Sequence, residues 1–281
     1  MKKRTRIFPR NTVLITDWDG LTQVGKKLED SGRRWLYRGQ HCKRWGLKPR
    51  IERTMKRLKL GITELGKIEV RILRQAQRNL HRYDADLPKF DDTIEWLSML
   101  QHYGAPTRLL DWTHSFDIGL YFALEQAALG KIVSIFVADN DALVCEKEDQ
   151  LKLNVSIYEA YKENDKDTTV DSYLLEKDTN IIVPIAPFRL NDRLAIQQGI
   201  FMISLSKSIH FDRIYNGMAL RHQDSFYKLN IKCTRSLIQN ALIHLQRINI
   251  TTATLFPGID GFCRGIENEL ADANRWKYVL R

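Results

Sequence analysis

The sequence has few of the features that mark membrane and secreted proteins. Its longest apolar run, near residues 131–138, is far below the ~20 residues that a membrane-spanning helix needs. The basic segment at residues 1–10 contains no apolar stretch of the kind that forms the centre of a secretory signal. We therefore expect a cytoplasmic protein that does not bind a membrane.

Cysteine is also scarce. The four cysteines, Cys42, Cys145, Cys233 and Cys263, are widely spaced, with no CxxC pair and no histidine at a zinc-ligand interval. This pattern is typical of reduced thiols and predicts no structural metal. Internal repeats and low-complexity linkers are absent too. The 281 residues, 43% of them hydrophobic, can form one large domain or two small ones.

Positive charge is present in excess. Lys and Arg number 44 against 34 Asp and Glu, which gives a formal net charge of +10. Such a chain favours polyanionic partners, because contacts with phosphates release counterions. Nucleic acid is the obvious candidate. The alternative is a basic protein whose charge serves solubility alone.

The basic excess is concentrated in a helical stretch. From about Ile51 to Tyr83, apolar residues recur at intervals of three and four, which predicts two helices with a break near Gly61 or Gly66. The face opposite the apolar one is strongly basic. Solvent-exposed helix faces are usually charged for solubility alone. On this face, however, basic residues far outnumber acidic ones, and this excess makes nucleic-acid contact a hypothesis. The candidate contact residues are Arg53, Lys56, Arg57, Arg71, Arg74 and Arg78.

Further elements follow from local patterns. Strand signals occur at residues 12–16, 33–40, 131–138, 181–185 and 228–233, and helix signals at 91–101 and 235–245. The acidic stretch 139–180 is predicted to be a surface excursion with one or two helices. A last charged helix is predicted to contain Glu267 and Glu269.

Residues 101–113, Gln-His-Tyr-Gly-Ala-Pro-Thr-Arg-Leu-Leu-Asp-Trp-Thr, concentrate chemically active side chains. Gly104 and Pro106 end the preceding helix, so we predict a turn, a strand up to Thr113 and then a helix rich in Ala and Phe. The polar residues of this motif are typical of a functional site. The alternative is that His102, Arg108 and Asp111 satisfy one another in a buried structural network.

Two further stretches carry polar groups beside predicted strands. Arg38 lies near the end of the strand at 33–40, where a guanidinium could clamp a phosphate or ribose, or could form a salt bridge. Gly39 beside it has no side chain, so a ligand or another part of the chain can approach the backbone closely there. Gln197 and Gln198 precede an apolar strand, where they could bind a hydroxyl or a carboxamide, or could cap a turn.

Three pieces in this order resemble the bacterial FRG family, which is named for its aromatic-Arg-Gly signature. They are Tyr37-Arg38-Gly39, the motif at 101–113, and residues 193–201 with their Gln-Gln-Gly. The resemblance spans residues 35–205. The order also resembles, more remotely, the ADP-ribosyltransferases of the arginine-serine-glutamate type, in which a strand arginine, a hydroxyl-rich strand and a glutamate surround NAD.

These resemblances imply a fold and a site. We expect one α+β domain over residues 1–281, with a split, mixed but mostly antiparallel β-sheet like that of an ADP-ribosyltransferase and a basic helical insertion at about 48–100. NAD would be the co-substrate, and Asp111, His102 and Gln198 would be catalytic. The residues expected to bind NAD are Arg38, Gly39, Tyr103, Thr107, Arg108 and Thr113.

The sequence departs from the transferase pattern at residues 197–199, which contain no carboxylate. In that family a glutamate stabilises the positive charge that develops as nicotinamide leaves, a task suited to an anion. Gln198 could position the ribose but supplies no charge. We therefore expect Asp111 to provide the carboxylate and His102 to act as the base for the acceptor.

The expected function is that of an intracellular, NAD-dependent ADP-ribosyltransferase that modifies nucleic acid, with RNA favoured over DNA. Such an activity would be toxic, which indicates a toxin or an antiviral defence effector restrained by an antitoxin protein. Three alternatives stay open: a transferase that modifies protein, a non-catalytic module that binds nucleotides or nucleic acid, and an adaptor domain with a polar core around Asp111.

Overall fold

The structure is a computed structural model, and it describes residues 11–151, 178–259 and 261–266. Seven strands form one sheet: β1 Thr12–Ile15, β2 Trp35–Gln40, β3 Leu110–Thr113, β4 Ile132–Asp139, β5 Ile182–Ile185, β6 Gly199–Ser204 and β7 Phe226–Lys232. Their order across the sheet is β1-β7-β4-β2-β3-β6-β5. β1 and β7 are parallel and the other neighbours are antiparallel. The expected α+β class with a mixed, mostly antiparallel sheet is confirmed.

The sheet is weakly joined in its middle. β2 and β3 are paired at a single position, Tyr37 with Thr113, whereas β2 pairs with β4 along all six of its residues. Beyond Tyr37 the two strands therefore diverge, and a gap opens between the half formed by β1, β7, β4 and β2 and the half formed by β3, β6 and β5. Residues that face this gap come from both halves.

The helices pack on both faces of the sheet. In the described ranges they include α1 Trp18–Glu29, α2 Arg50–Arg57, α3 Leu65–Asn79, α4 Thr93–His102, α5 Phe116–Leu124, α6 Asn140–Leu151, α7 Asp192–Ile196, α8 Phe211–Arg221, α9 Arg235–Arg247 and α10 Thr252–Leu255. α1, α5 and α9 cover the first half through a core that includes Tyr37 and Val133. α3 and α4 cover the second half around Leu97 and Phe201. Because strand side chains alternate, Met202 faces the other side and packs with α8.

The predicted helix boundaries near the motif hold with small changes. The break in the basic helical stretch falls after α2, and Gly61 leads into a short 3-10 turn, Ile62–Glu64, before α3. The strand after the turn at Gly104 was expected to extend from Arg108 to Thr113, and it begins at Leu110. Just before it, the carbonyl of Thr107 accepts a hydrogen bond from the backbone N–H of Ile51 in α2, at 3.1 Å.

Some predictions fall partly or wholly outside the described part of the chain. α6 accounts for one helix of the acidic excursion, but residues 152–177 lie outside the described ranges. The predicted final helix with Glu267 and Glu269 lies outside them as well. Within the described residues, no helix has the length and apolar character to span a membrane.

Candidate functional site

The three residues of the aromatic-Arg-Gly signature have different neighbours. The ring of Tyr37 packs edge-on against Phe116 of α5, with ring centroids 5.5 Å apart. A Cβ atom added to Gly39 would lie 2.1 Å from the backbone oxygen of Gly119, also in α5. Successive strand side chains alternate, so Arg38 points away from α5. The absence of a side chain at Gly39 therefore lets α5 pack closely against β2. Gly39 faces α5 and not the cofactor that was expected beside it.

Arg38 spans the gap between β2 and β3. Its Nη1 donates a hydrogen bond to the backbone oxygen of Asp111 and lies 3.8 Å from Asp111 Oδ2. Burial lowers the pKa of Arg38, and the Asp111 carboxylate opposes that change. Its Nε is buried and has no hydrogen-bond partner among the described residues. A buried N–H of this kind is a donor that an anionic ligand can satisfy.

A pocket of about 230 Å³ opens beside Arg38, lined by β2, α2, α4, β3, α7 and β6. Its charged lining is mostly positive, with Arg38, Arg50, Arg53 and Arg193 against Asp111, which is the one carboxylate among the described lining residues. Guanidinium groups bind phosphate through paired, charge-assisted hydrogen bonds. The other lining residues are Ser98, Gln101, His102, Gly104, Leu109, Leu110, Asn191, Leu194, Gln197 and Phe201.

Asp111 is held in the pocket by a neighbouring amide. The Nε2 of Gln101 lies 3.2 Å from each carboxylate oxygen of Asp111. The Oε1 of Gln101 accepts a hydrogen bond from the hydroxyl of Thr107, at 2.5 Å, and Thr107 is fully buried. A buried threonine thus orients the amide that orients the carboxylate. Sequence reasoning missed Gln101, although it is the first residue of the motif.

His102 lines the same pocket at the end of α4. Partial desolvation lowers its pKa from 6.5, and the positive charge of Arg193 lowers it further. The imidazole is therefore neutral at pH 7 and can accept a proton. Two of the three residues predicted to be catalytic, Asp111 and His102, thus line the same pocket.

The charge of His102 leads to a testable prediction. A phosphate bound beside it favours the imidazolium, so binding of ADP-ribose is expected to raise the pKa of His102 and to tighten as the pH falls from about 7 to about 5.5. The Arg193→Gln variant is also expected to raise this pKa, because it removes the opposing charge. Titration of the imidazole by NMR, with and without ADP-ribose, measures both effects. A pKa that neither change moves would place the ligand away from His102.

Gln198, the third residue predicted to be catalytic, does not line the pocket. It has a φ of +45°, which is left-handed backbone, and its side chain is exposed. The turn presents Gln197 instead, which lines the pocket and donates from Nε2 to the backbone oxygen of Leu255 at 2.9 Å. The structure thus places Gln197, and not Gln198, in the lining of this pocket, and a catalytic role for Gln198 stays a prediction.

Arg108 is a structural residue in this fold. Its side chain is 2% exposed, and its Nη2 lies 2.6 Å from Glu69 Oε2 in α3. Its Nε bonds Glu69 Oε1 at 2.7 Å, and its Nη1 bonds the backbone oxygen of Ser204 at 3.1 Å. The buried network foreseen around Arg108 therefore exists, but its acidic partner is Glu69 and not Asp111. Arg108 is not placed to bind NAD.

Three other residues expected to bind NAD lie outside the pocket lining. The hydroxyl of Thr113 is buried and donates to the backbone oxygen of Gln197 at 2.7 Å, which ties β3 to the turn before β6. The hydroxyl of Thr107 donates its hydrogen bond to Oε1 of Gln101. Tyr103 is 70% exposed and is not among the described residues that line the pocket. Of the described residues that line the pocket with Arg38, none is Tyr103, Thr113 or Gln198.

The six predicted nucleic-acid contacts are all exposed, on α2 and α3. Each of these two fully described helices contains one acidic residue, and both are buried: Glu52 in α2 and Glu69 in α3. Glu52 accepts from the backbone N–H of Phe211 at 2.8 Å and lies 2.8 Å from His210 Nδ1, so it caps α8. The outward faces of α2 and α3 therefore expose positive charge with no carboxylate of their own to cancel it.

Residues 33–131 match the family model of the FRG domain. Searches of curated proteins and of solved structures gave no match to the chain. The matched stretch contains the aromatic-Arg-Gly signature, α2 to α5 and the motif at 101–113, and it supplies Arg38, Asp111 and His102 to the pocket. α7 and β6, which close the pocket, lie beyond it. Residues 33–131 of this chain are therefore similar to the FRG domain.

Proposed function

We propose that the protein is an NAD-dependent ADP-ribosyltransferase that modifies nucleic acid. The observation that carries the proposal is the contact of Arg38 with Asp111 inside a pocket lined by four arginines. This arrangement combines cationic groups suited to a pyrophosphate with one carboxylate suited to a developing positive charge.

The arginines fit the phosphates of NAD. Arg38 offers a buried Nε without a partner among the described residues, and Arg193 faces the same pocket. The volume of about 230 Å³ is below the ~300–1,000 Å³ of most small-molecule pockets. The pocket would therefore enclose the pyrophosphate and the adjoining ribose and leave the rest of NAD outside.

The transfer needs a carboxylate and a base. The bond between ribose C1′ and the nicotinamide nitrogen breaks, nicotinamide leaves with the electron pair, and an acceptor oxygen or nitrogen bonds to C1′ and loses a proton. Asp111, held by Gln101, would stabilise the positive charge on the ribose. His102, whose pKa is lowered, would take the proton.

The basic faces of α2 and α3 support nucleic acid as the acceptor. Their exposed charge is uncancelled within the helices because Glu52 and Glu69 are buried, and phosphate backbones bind such surfaces. RNA is the first acceptor to test. Because modification of cellular RNA would be toxic, the proposal includes a role as a toxin or antiviral defence effector with an antitoxin partner.

The experiment is to incubate the purified protein with labelled NAD and, separately, with total RNA, DNA and cell protein. We expect label on nucleic acid together with release of nicotinamide. The Asp111→Asn variant is expected to be slower by about 100-fold or more, because it removes an electrostatic group aimed at the transition state. Label on protein alone would keep the enzyme and change the acceptor. Intact NAD in every mixture would overturn the proposal.

A second candidate is a nucleotide-binding module without catalysis. It is favoured by the engagement of Asp111 with both Gln101 and Arg38, which leaves the carboxylate less able to respond to a developing charge, and by the absence of a carboxylate at residues 197–199. It predicts that ADP-ribose binds in the arginine pocket and that nicotinamide is never released.

A further inference from the structure

Three arginines of α2 form a row that leads out of the pocket. Arg50, Arg53 and Arg57 are spaced by three and by four residues, so they lie on one side of the helix. Arg50 and Arg53 line the pocket, and Arg57 is exposed in the last turn of the helix. With a rise of about 1.5 Å per residue, the row is roughly 10 Å long.

The orientation of α2 is fixed from its other side. Ile51 and Met55 are buried against α3, and Glu52 is anchored at the start of α8. The single acidic residue of the helix is therefore withdrawn from the row. The arginines of α2 face outward without a carboxylate of their own helix to pair with.

The charges of the pocket exceed those of one pyrophosphate. In NAD each of the two linked phosphates carries one negative charge, and Arg38 and Arg193, on β2 and at α7, match them. Arg50 and Arg53 then stay available at the α2 side of the same pocket. With the carboxylate of Asp111 counted as well, one positive charge of the pocket stays unmatched, and a further anionic group at the α2 side would match it.

We propose that this row binds the backbone of single-stranded nucleic acid and leads one nucleotide of the strand to Asp111 as the acceptor. The delivery of an acceptor rests on the proposed function, whereas the binding of the strand does not. A single strand can place successive phosphates on Arg57, Arg53 and Arg50 and present one nucleotide at the mouth of the pocket, whose volume of about 230 Å³ is taken up by the pyrophosphate and ribose of NAD. A duplex keeps its bases stacked and paired, so it cannot extend one nucleotide to the pocket without being opened.

The test is fluorescence anisotropy with a labelled single-stranded RNA and a hairpin duplex of the same composition, at several salt concentrations. The Arg53→Ala/Arg57→Ala variant removes two charges of the row. It is expected to weaken single-strand binding about tenfold or more and to lower the slope of log K against log salt by about 1.4, since each contact contributes ~0.7 for single strands.

The matched control removes two arginines elsewhere. Arg235 and Arg247 are exposed on α9, which packs on the other half of the sheet and does not line the pocket. The Arg235→Ala/Arg247→Ala variant is expected to change single-strand binding less than about twofold, an ordinary effect of distant charge. Equal losses in the two variants, or duplex binding as tight as single-strand binding, would overturn the proposal.

Failure of this inference is distinguishable from failure of the proposed function. If the row binds RNA as expected but NAD stays intact, the inference about the row is supported and the proposed transferase activity is overturned. If NAD is consumed but the Arg53→Ala/Arg57→Ala variant binds RNA like the control, the transferase activity is supported and the inference about the row is overturned.

Discussion

Replacing Arg38 with methionine is expected to weaken nucleotide binding about 100-fold or more while leaving the fold as stable as before. The side chain of Arg38 is 19% exposed, burial lowers its pKa, and its Nε lacks a partner in the described residues. Removing one partner of an ion pair is strongly destabilising when the other charge is left buried, but the side chain of Asp111 is 53% exposed and stays solvated without Arg38. Loss of two charge-assisted bonds to phosphate, at about 1.5–3 kcal/mol each, weakens binding about 100-fold or more.

Calorimetric titration of ADP-ribose and thermal unfolding of the same samples measure the two effects of Arg38→Met. Arg38→Lys keeps the charge but loses the planar fork, so its affinity is expected to fall between those of the variant and the original protein. Arg235→Met on α9 is the control with unchanged affinity. Undiminished binding by Arg38→Met would move the ligand elsewhere. Unfolding of Arg38→Met together with full binding by Arg38→Lys would assign Arg38 to the fold.

Replacing Gly39 with alanine is expected to destabilise the protein by about 3 kcal/mol, at the upper end of overpacking effects. The added Cβ would lie 2.1 Å from the oxygen of Gly119, 2.4 Å from the nitrogen of Ala123 and 2.8 Å from the carbonyl carbon of Phe122. These are backbone atoms of α5, so no side-chain rotation relieves the contact, and the helix must move away from β2. The melting temperature is expected to fall by about 10 °C.

Gly61 provides the control for Gly39→Ala. A Cβ at Gly61 would have Thr63 Oγ1 as its nearest neighbour, at 3.6 Å, and its φ of −77° suits any residue. Gly61→Ala is therefore expected to leave the melting temperature unchanged or slightly higher. A Gly39→Ala protein that melts like the original but no longer binds ADP-ribose would contradict the packing role and return Gly39 to the ligand site.

Local sequence patterns predicted much of the fold. The helical spacing after Ile51, the turn at Gly104 and the apolar strands all depend on near neighbours in the chain, and each appears close to its predicted place. The motif at 101–113 carries Asp111, which contacts Arg38. Strand order brought these two residues together, because β2 and β3 are neighbours in the sheet.

The predicted site and the observed pocket differ at residues whose placement depends on distant partners or on the local backbone. Arg108 is a residue type that often binds ligands. Nothing near it in the sequence indicates that its partner is Glu69, which lies 39 positions earlier. Gln197 and Gln198 are the same residue type, and the sequence does not show that Gln197 lines the pocket whereas Gln198 has left-handed backbone and an exposed side chain. Gln101 was passed over because its importance lies in its link from Thr107 to Asp111.

Release of nicotinamide from NAD by the purified protein, in the presence of single-stranded RNA, is the most direct test that the pocket around Arg38 and Asp111 is a transferase site. We predict release by the original protein that slows by about 100-fold or more in Asp111→Asn. Intact NAD, or equal release by Asp111→Asn, would contradict a catalytic role for the carboxylate that Arg38 and Gln101 hold in place.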